Sequence, residues 1–309
     1  MSKLAGLPFK LGIHPINWVG EDVREHGEDT TFEQIVDDIQ SLGLNGTEMG
    51  RKFPTEPAVL REALSRRGIR LVSQWKSVLF SDPYRRVEEL LSYRRHAQFL
   101  REMGSEVIST CEIGGSLHFD PRRTPYEKEV ARLDEAGWLS LAEGLNMAGA
   151  IANEYGLKLA YHHHGGTVVE RPEEIGRLME LTDPALVHLL YDTGHARYGG
   201  ADPLRLLCDH YDRIAYIHLK DIREAVLDEA RAEGADFIAC IRKGVFTCIR
   251  KGVFTVPGDG SLDFRPIIAE LANRGYKGWA MLEGEQDPVL HPAREYASRS
   301  LAYLEGLLA

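Results

Sequence analysis

The chain has 309 residues, of which 43% are hydrophobic and 27% charged, and its formal net charge is −10. This composition is that of a globular protein, and the negative charge argues against a large phosphate-binding surface, so we expect no nucleic acid partner. There is no apolar run long enough for a signal peptide or a membrane span, and the four cysteines lack CxxC or zinc-finger spacing, so we expect a cytoplasmic protein without a membrane partner.

Eight short apolar segments alternate with longer amphipathic segments, which is typical of βαβ units and a parallel sheet. The amphipathic segments between them are predicted helices, and several end in a glycine suited to a C-cap, such as Gly43 and Gly104. Eight strand–helix repeats predict an α/β fold, a single (β/α)8 TIM barrel. The predicted strands are FKLGIHP (9–15), GTEMG (46–50), IRLVSQW (69–75), EVISTCE (106–112), LKLAYHH (157–163), VHLLYDT (187–193), IAYIHLK (214–220) and GWAMLEG (278–284).

We predict one domain over residues 1–309, with an extended loop and helix insertion around residues 222–260. Within this insertion the octapeptide CIRKGVFT occurs twice in succession, at 240–247 and 248–255. A single duplicate is too short to be a solenoid repeat. Two explanations stay open: a tandem duplication tolerated in a surface connection, or a lengthened lid over the active site.

Polar residues stand at the ends of nearly all predicted strands, where barrels of this kind carry out their chemistry. Residues two positions apart in a strand share a face, which pairs His162 with His164, His218 with Lys220, and Glu283 with Glu285. A dry core would not hold such groups without compensation. The other candidates at strand ends are His14, Asn17, Trp18, Glu48, Gln74, Trp75, Glu112, Asp192 and His195.

Four of these residues, on predicted strands five to eight, indicate a divalent metal site: His162, Asp192, His218 and Glu283. Their mixed nitrogen and oxygen donors suit Mn²⁺, Co²⁺ or Zn²⁺. Each side chain also has an ordinary structural explanation. A strand-end histidine often serves only as a hydrogen-bonding group, Asp192 could cap the following helix, and Lys220, Glu283 and Glu285 could be surface charges.

The segments DTGH, IHLKD and GW…LEGE resemble the xylose-isomerase-like barrels, a superfamily of sugar isomerases, epimerases and endonuclease IV. The resemblance implies metal ligands on strands five to eight in the order Glu, Asp, His, Glu. Asp192, His218 and Glu283 match three of them, and His162 stands where the first glutamate is expected. Glu112 is the alternative to His162 as the fourth metal ligand.

The segments YHHHGGT, GIHPINW and FTVPGDGSLDF resemble the inosose dehydratase family. This resemblance covers about residues 10–300 and implies a hydro-lyase of inositol catabolism. Such an enzyme removes water from 2-keto-myo-inositol to give a trihydroxycyclohexane dione, with Mn²⁺ or Co²⁺ and with glutathione as a further cofactor. Relative to the family pattern, one copy of CIRKGVFT is an insertion.

For such a reaction we expect a carboxylate of the last strand, Glu283 or Glu285, as the base, and His164 or His195 as the acid. Lys220 would hold a substrate oxygen. Hydroxyls of the polyol would bind Asn17, Glu48, Gln74 and Glu112, and Trp18 or Trp75 would stack on the ring unless they only pack in the core.

The nearest alternative function is a keto-sugar isomerase or epimerase, since the same metal-stabilised enediolate serves both reactions. An endonuclease-IV-like nuclease would need a basic face, which this acidic chain lacks. A non-catalytic sugar-binding barrel would need no metal. The oligomeric state is left open, with a homo-oligomer as one option.

Overall fold

The structure, a computed structural model, describes residues 6–116, 119–123, 129–242 and 252–308. The strands are β1 Lys10–Ile13, β2 Gly46–Glu48, β3 Arg70–Ser73, β4 Trp75–Val78, β5 Val107–Glu112, β6 Lys158–His162, β7 Val187–Asp192, β8 Ile214–Leu219, β9 Asp221–Ile222, β10 Phe254–Thr255 and β11 Trp279–Leu282. The helices are α1 Phe32–Ser41, α2 Pro57–Ser65, α3 Arg86–Met103, α4 Glu135–Glu154, α5 Pro172–Leu181, α6 Thr193–Tyr198, α7 Pro203–His210, α8 Glu224–Ala232, α9 Phe237–Arg242, α10 Phe264–Asn273 and α11 Ala293–Leu307.

All eight predicted strands are present at the predicted places. The third predicted segment, 69–75, contributes β3 and the first residue of β4, with Gln74 between the two strands. The short strands β9 and β10 were not predicted. They pair antiparallel, with Ile222 opposite Phe254 and Asp221 opposite Thr255.

The chain forms two compact units, residues 1–71 with 217–309 (the first unit) and residues 72–216 (the second unit). In the first unit, β1 pairs parallel with β2 and with β11, and β11 pairs parallel with β8. The register places Ile13 opposite Leu282, and Met281 opposite His218. Parallel pairing brings the carboxyl ends of these strands to one edge, where His14, Lys220 and Glu283 follow.

The second unit contains β4, β5, β6 and β7, paired in that order and all parallel. All six residues of β5 are buried, as are all residues of β6 except the first. Such nearly continuous burial is typical of parallel strands that are covered on both faces. Glu112, His162 and Asp192 are the last residues of β5, β6 and β7, so they lie at the same edge.

The helices form where the hydrophobic pattern predicts them. In α1 the buried residues Phe32, Ile35, Val36 and Ile39 follow helical spacing, and Thr31 and Gln34 form a capping box at its start. Gly43 and Gly104 follow α1 and α3 with φ of 73° and 75°, which confirms the predicted glycine C-caps. In the part of the chain that the structure describes, none of the helices could span a bilayer, because none is both long and apolar enough.

Residues 222–260 contain α8, α9 and β10. The first copy of CIRKGVFT begins inside α9, where Cys240 and Ile241 are buried. The last residues of the second copy, Phe254 and Thr255, form β10. Residues 243–251, the end of the first copy and the start of the second, lie outside the described residues. The single-domain assignment stays a prediction.

Candidate active site

In the first unit, His218 lies between two carboxylates. Its Nε2 is 2.6 Å from Oε1 of Glu48, and its Nδ1 is 2.7 Å from Oε2 of Glu283. Glu48 also faces His14, with 3.7 Å between its Oε2 and His14 Nε2. All of these side chains are buried. Glu48, predicted to bind substrate hydroxyls, is therefore placed to fix the orientation of the His218 ring.

Lys220 is the cation of the same cluster, and none of its surface is exposed. Its Nζ lies 2.5 Å from Oε1 of Glu283 and donates to Oε2 of Glu285 at 2.7 Å. Burial acts to raise the pKa of Glu283, but Lys220 and His218 outweigh it and hold that pKa well below its usual range. Surface-charge explanations of Lys220, Glu283 and Glu285 are thus excluded.

Glu285 has an unusual backbone and a partner that the sequence did not indicate. Its φ is 46°, the left-handed region, which non-glycine residues seldom occupy and which is common at functional sites. Asp22 is hydrogen-bonded to Glu285. Burial first, and then the charge of Glu285, raise the pKa of Asp22 well above its usual range, against the opposing effect of Lys220. Asp22 precedes no strand and shows no periodic pattern, so no sequence signal pointed to it.

Asn17 and Trp18 follow β1 in a short 3-10 helix, Pro15–Asn17, and its C-cap. The Asn17 amide donates to the carbonyls of His14 at 2.7 Å and Leu282 at 3.1 Å. Among the described residues, its buried Oδ1 has no hydrogen-bond partner, so it could accept a bond from a substrate hydroxyl. The indole N–H of Trp18 donates to Asp38 at 2.8 Å, and this contact suits the core-packing alternative.

In the second unit, His162 and Asp192 end neighbouring strands. His162 Nε2 is 3.6 Å from Asp192 Oδ2, and both residues are buried. Asp192 Oδ1 accepts a bond from His195 N at 2.7 Å and so caps α6. The capping role expected as an alternative is real, but it occupies one oxygen and directs the other toward His162.

His164 and His195 pack against one another, with ring centroids 3.8 Å apart. The nitrogen Nδ1 of His164 lies 2.9 Å from the carbonyl oxygen of Gly165, which assigns the proton of a neutral ring to Nδ1. The Nδ1 of His195 accepts from Gly165 N at 3.2 Å, which assigns the proton of a neutral His195 ring to Nε2. A second proton, which makes an imidazolium, therefore fits on Nε2 of His164, whereas on Nδ1 of His195 it would face the Gly165 N–H.

Trp75 contacts the rings of both His162 and His164 edge-on, with 5.4 Å between ring centroids in each case. The shared neighbour confirms that His162 and His164 lie on one face of the strand. His163, between them, instead has its Nε2 3.4 Å from Asp192 N. Gln74, next to Trp75, is partly buried.

Glu112 is fully buried and accepts bonds from four donors: the backbone N–H groups of Phe80, Ser81 and Gly114, and the Ser81 hydroxyl. Burial raises its pKa to about 7, although these donors act to lower it. The carboxylate ties the loops after β4 and β5 together. Its predicted roles, at substrate or metal, stay predictions.

The donor chemistry of each unit fits a divalent ion. His162 with Asp192, and His218 with Glu283, each offer one imidazole nitrogen and one carboxylate oxygen, all buried. Ions such as Mn²⁺, Co²⁺ and Zn²⁺ bind such donors. A histidine that binds a metal through one ring nitrogen commonly contacts a carboxylate through the other, as His218 contacts Glu48.

Comparison with known proteins adds a family and close relatives. Residues 36–307 match the family model described as xylose isomerase-like TIM barrel. The chain is 49% identical over 301 residues to an inosose dehydratase of Geobacillus kaustophilus, covering 97% of this chain and 95% of the relative.

Solved structures with the same fold share much less sequence. D-psicose 3-epimerase of Clostridium cellulolyticum, crystallised with D-tagatose, has a TM-score of 0.69 at 16% identity and covers 97% of this chain and 99% of its own. The IOLI protein with a bound zinc atom has a TM-score of 0.68 at 14% identity, covering 97% and 98%. At these identities the likeness concerns the fold.

Proposed function

We propose that this chain, which belongs to the xylose isomerase-like TIM barrel family and within it to the inosose dehydratases, removes water from 2-keto-myo-inositol. The product would be a trihydroxycyclohexane dione. The membership confirms the predicted (β/α)8 barrel and the predicted hydro-lyase class. Identity of 49% along 97% of the chain is the observation that carries the substrate assignment.

The buried cluster of the first unit supports the chemistry of this reaction. Dehydration beside a ketone begins with loss of the proton on the neighbouring carbon, which needs a base. Glu283 is held by Lys220 and His218, and its lowered pKa makes it a weak base. Glu283 is also a proposed metal ligand, so we assign the base to Glu285, the second carboxylate that Lys220 contacts, which the left-handed backbone places there.

The second unit supports the assignment of the acid. The departing β-hydroxyl needs a proton to leave as water, and an imidazolium ring can give it. Of the two packed histidines, His164 can carry that extra proton on Nε2 while its Nδ1–H donates to the Gly165 carbonyl, so we assign the acid to His164. The proton that Glu285 takes up balances the one that the His164 imidazolium gives, so the net products are the enol of the dione and one water. The enol then converts to the dione by proton shift. Lys220 would stabilise negative charge on a substrate oxygen.

A divalent ion, Mn²⁺ or Co²⁺, is part of the proposal. His162, Asp192, His218 and Glu283 would hold it, on the chemistry of the two buried donor pairs. When bound, the ion supplies Lewis-acid stabilisation of charge on the ketone oxygen. Glutathione is proposed from the family resemblance alone.

The remaining proposals concern substrate contacts, cellular location and partners. Asn17 would accept a bond from a ring hydroxyl through Oδ1, and Trp75 would cover the C–H face of the ring. Glu48, Gln74, Glu112 and Trp18 are proposed as further contacts. For Glu48, Glu112 and Trp18, the structural bonds described above are the alternative role. We propose a cytoplasmic enzyme with no nucleic acid or membrane partner. Gel filtration would decide whether it is a homo-oligomer.

The test is turnover of 2-keto-myo-inositol by enzyme stripped with a chelator and then supplied with Mn²⁺, Co²⁺, Zn²⁺ or Mg²⁺ singly, with and without glutathione. We expect dione absorbance that is lost on stripping and restored by Mn²⁺ or Co²⁺. Formation of an epimer without dione would instead support the isomerase or epimerase alternative.

A further inference from the structure

Arg223 is the centre of a buried cluster in the first unit that the proposed chemistry leaves unexplained. Only 7% of its surface is exposed. Its Nη1 donates to the carbonyls of Gly252 at 2.7 Å and Phe254 at 3.0 Å. Its Nη2 donates to Thr255 Oγ1 at 2.9 Å, Asp259 Oδ2 at 2.6 Å and Gln286 Oε1 at 3.1 Å.

Through Gln286 this cluster reaches Glu285. Gln286 Oε1 accepts from Arg223 and lies 3.1 Å from Thr255 Oγ1, so its amide oxygen is held within the cluster. Glu285 precedes it with φ of 46° and is the sole non-glycine residue with positive φ in the described part of the chain. An L residue keeps such a conformation only when its surroundings hold it there.

Through Phe254 the cluster also reaches Lys220. The Phe254 ring is fully buried and lies 5.1 Å from Lys220 Nζ, where it covers the ammonium group. Arg223 fixes this residue by its backbone carbonyl. The guanidinium thus contacts both segments that flank the Lys220–Glu285 bond.

We propose that Arg223 is a positioning residue for the dehydration. It acts through Gln286 to keep Glu285 in its left-handed conformation, and through Phe254 to keep Lys220 covered and directed at Glu285. The inference rests on the proposed function, because it takes Glu285 as the base. Without Arg223 the Glu285 backbone would relax and its carboxylate would move from the reacting carbon.

The test is a double-mutant cycle on kcat and KM. A displacement of about 1 Å at a catalytic group can cost on the order of 100-fold in rate. We therefore expect Arg223→Ala to lower kcat by roughly 10–100-fold, with KM changed by less than about 3-fold. In a Glu285→Gln background the same change should lower kcat by less than about 3-fold, because the group being positioned is already gone. Added guanidinium should restore part of the kcat of Arg223→Ala.

Arg213 offers a matched control in the second unit. It is a partly buried arginine that donates to the carbonyls of Met179 at 2.7 Å and Val187 at 2.7 Å, and it contacts none of the proposed catalytic groups among the described residues. Arg213→Ala should lower thermal stability and leave kcat unchanged. Gln286→Ala removes only the link between the cluster and Glu285, and should lower kcat even where Arg223→Ala does not fold.

The proposal is overturned if Arg223→Ala or Gln286→Ala keeps the wild-type kcat. It is also overturned if Arg223→Ala costs the same factor with Glu285 present and with Gln in its place. Failure of the proposed function would look different, because wild-type enzyme would then form no dione from 2-keto-myo-inositol with any of the four metals.

Discussion

Lys220→Met removes the ammonium group that bridges two buried carboxylates while keeping most of the side-chain volume. Lys220 is 0% exposed, and its Nζ is 2.5 Å from Glu283 and 2.7 Å from Glu285. Removing one partner of a buried ion pair costs about 3–5 kcal/mol, because the remaining charge is left uncompensated. Since two carboxylates lose their partner at once, we expect the upper end, about 5 kcal/mol.

Urea unfolding measures this loss. With an m-value of about 3 kcal/mol/M, a loss of about 5 kcal/mol lowers the unfolding midpoint by roughly 1.7 M. Lys277→Met is the control, since Lys277 is an exposed lysine before β11 in the same unit. The double variant Lys220→Met/Glu285→Gln should recover part of the loss, because it removes one of the two stranded charges. A midpoint for Lys220→Met no lower than that of Lys277→Met would refute the reasoning.

Four further outcomes are expected. Asp192→Ala and His218→Ala should lose the metal while keeping the fold; near-normal metal content by elemental analysis would remove that residue from the ligand set. Glu48→Gln should weaken metal affinity by roughly 10–100-fold, because the His218 ring loses its orienting carboxylate, and titration of the stripped enzyme measures it. Glu112 has a folded pKa of about 7 against an ordinary 4.5, so the folded state binds its proton more tightly and stability falls as the pH rises between these values. Over this pH range the free energy of unfolding of the wild type should drop by about 3 kcal/mol relative to that of Glu112→Gln. Equal pH dependence in the two proteins would contradict this. Deletion of residues 248–255 should leave a folded, active enzyme; a folded but inactive product would favour the lid explanation.

The strands and their polar ends could be predicted from the sequence because both depend on local pattern. Buried parallel strands appear as apolar runs, and a residue two positions after another lies on the same face. The two-residue spacing predicts that His162 and His164 lie on one face of the strand, and both rings contact Trp75 in the structure. It also put Lys220 two residues after His218, next to the carboxylate of Glu283.

The supporting residues could not be predicted, because their roles come from contacts between distant segments. Asp22 reaches Glu285 from a loop more than 260 positions earlier in the sequence, and it has no periodic signal. Two of the five partners of Arg223, Phe254 and Thr255, lie in β10, and no sequence pattern predicts that β10 pairs with β9 next to Arg223. One residue can also hold two roles that a sequence pattern presents as alternatives, since Asp192 uses one oxygen for the helix cap and turns the other toward His162.

The repeated octapeptide begins in the last turn of α9 and ends with β10. Cys240 and Ile241 of the first copy are helical, whereas Phe254 and Thr255 of the second copy form β10. The two copies meet where Val253 N donates to the carbonyl of Cys240 at 3.2 Å. In a chain without residues 248–255, Val245 would take the place of Val253, five positions after Cys240 and directly after Gly244. That spacing, with glycine before the last residue, is the one a Schellman helix end requires. The shortened chain can therefore end α9 and enter β10 without the extra residues, and the Phe and Thr that Arg223 holds would still be supplied. This is the physical reason to expect a tolerated duplication.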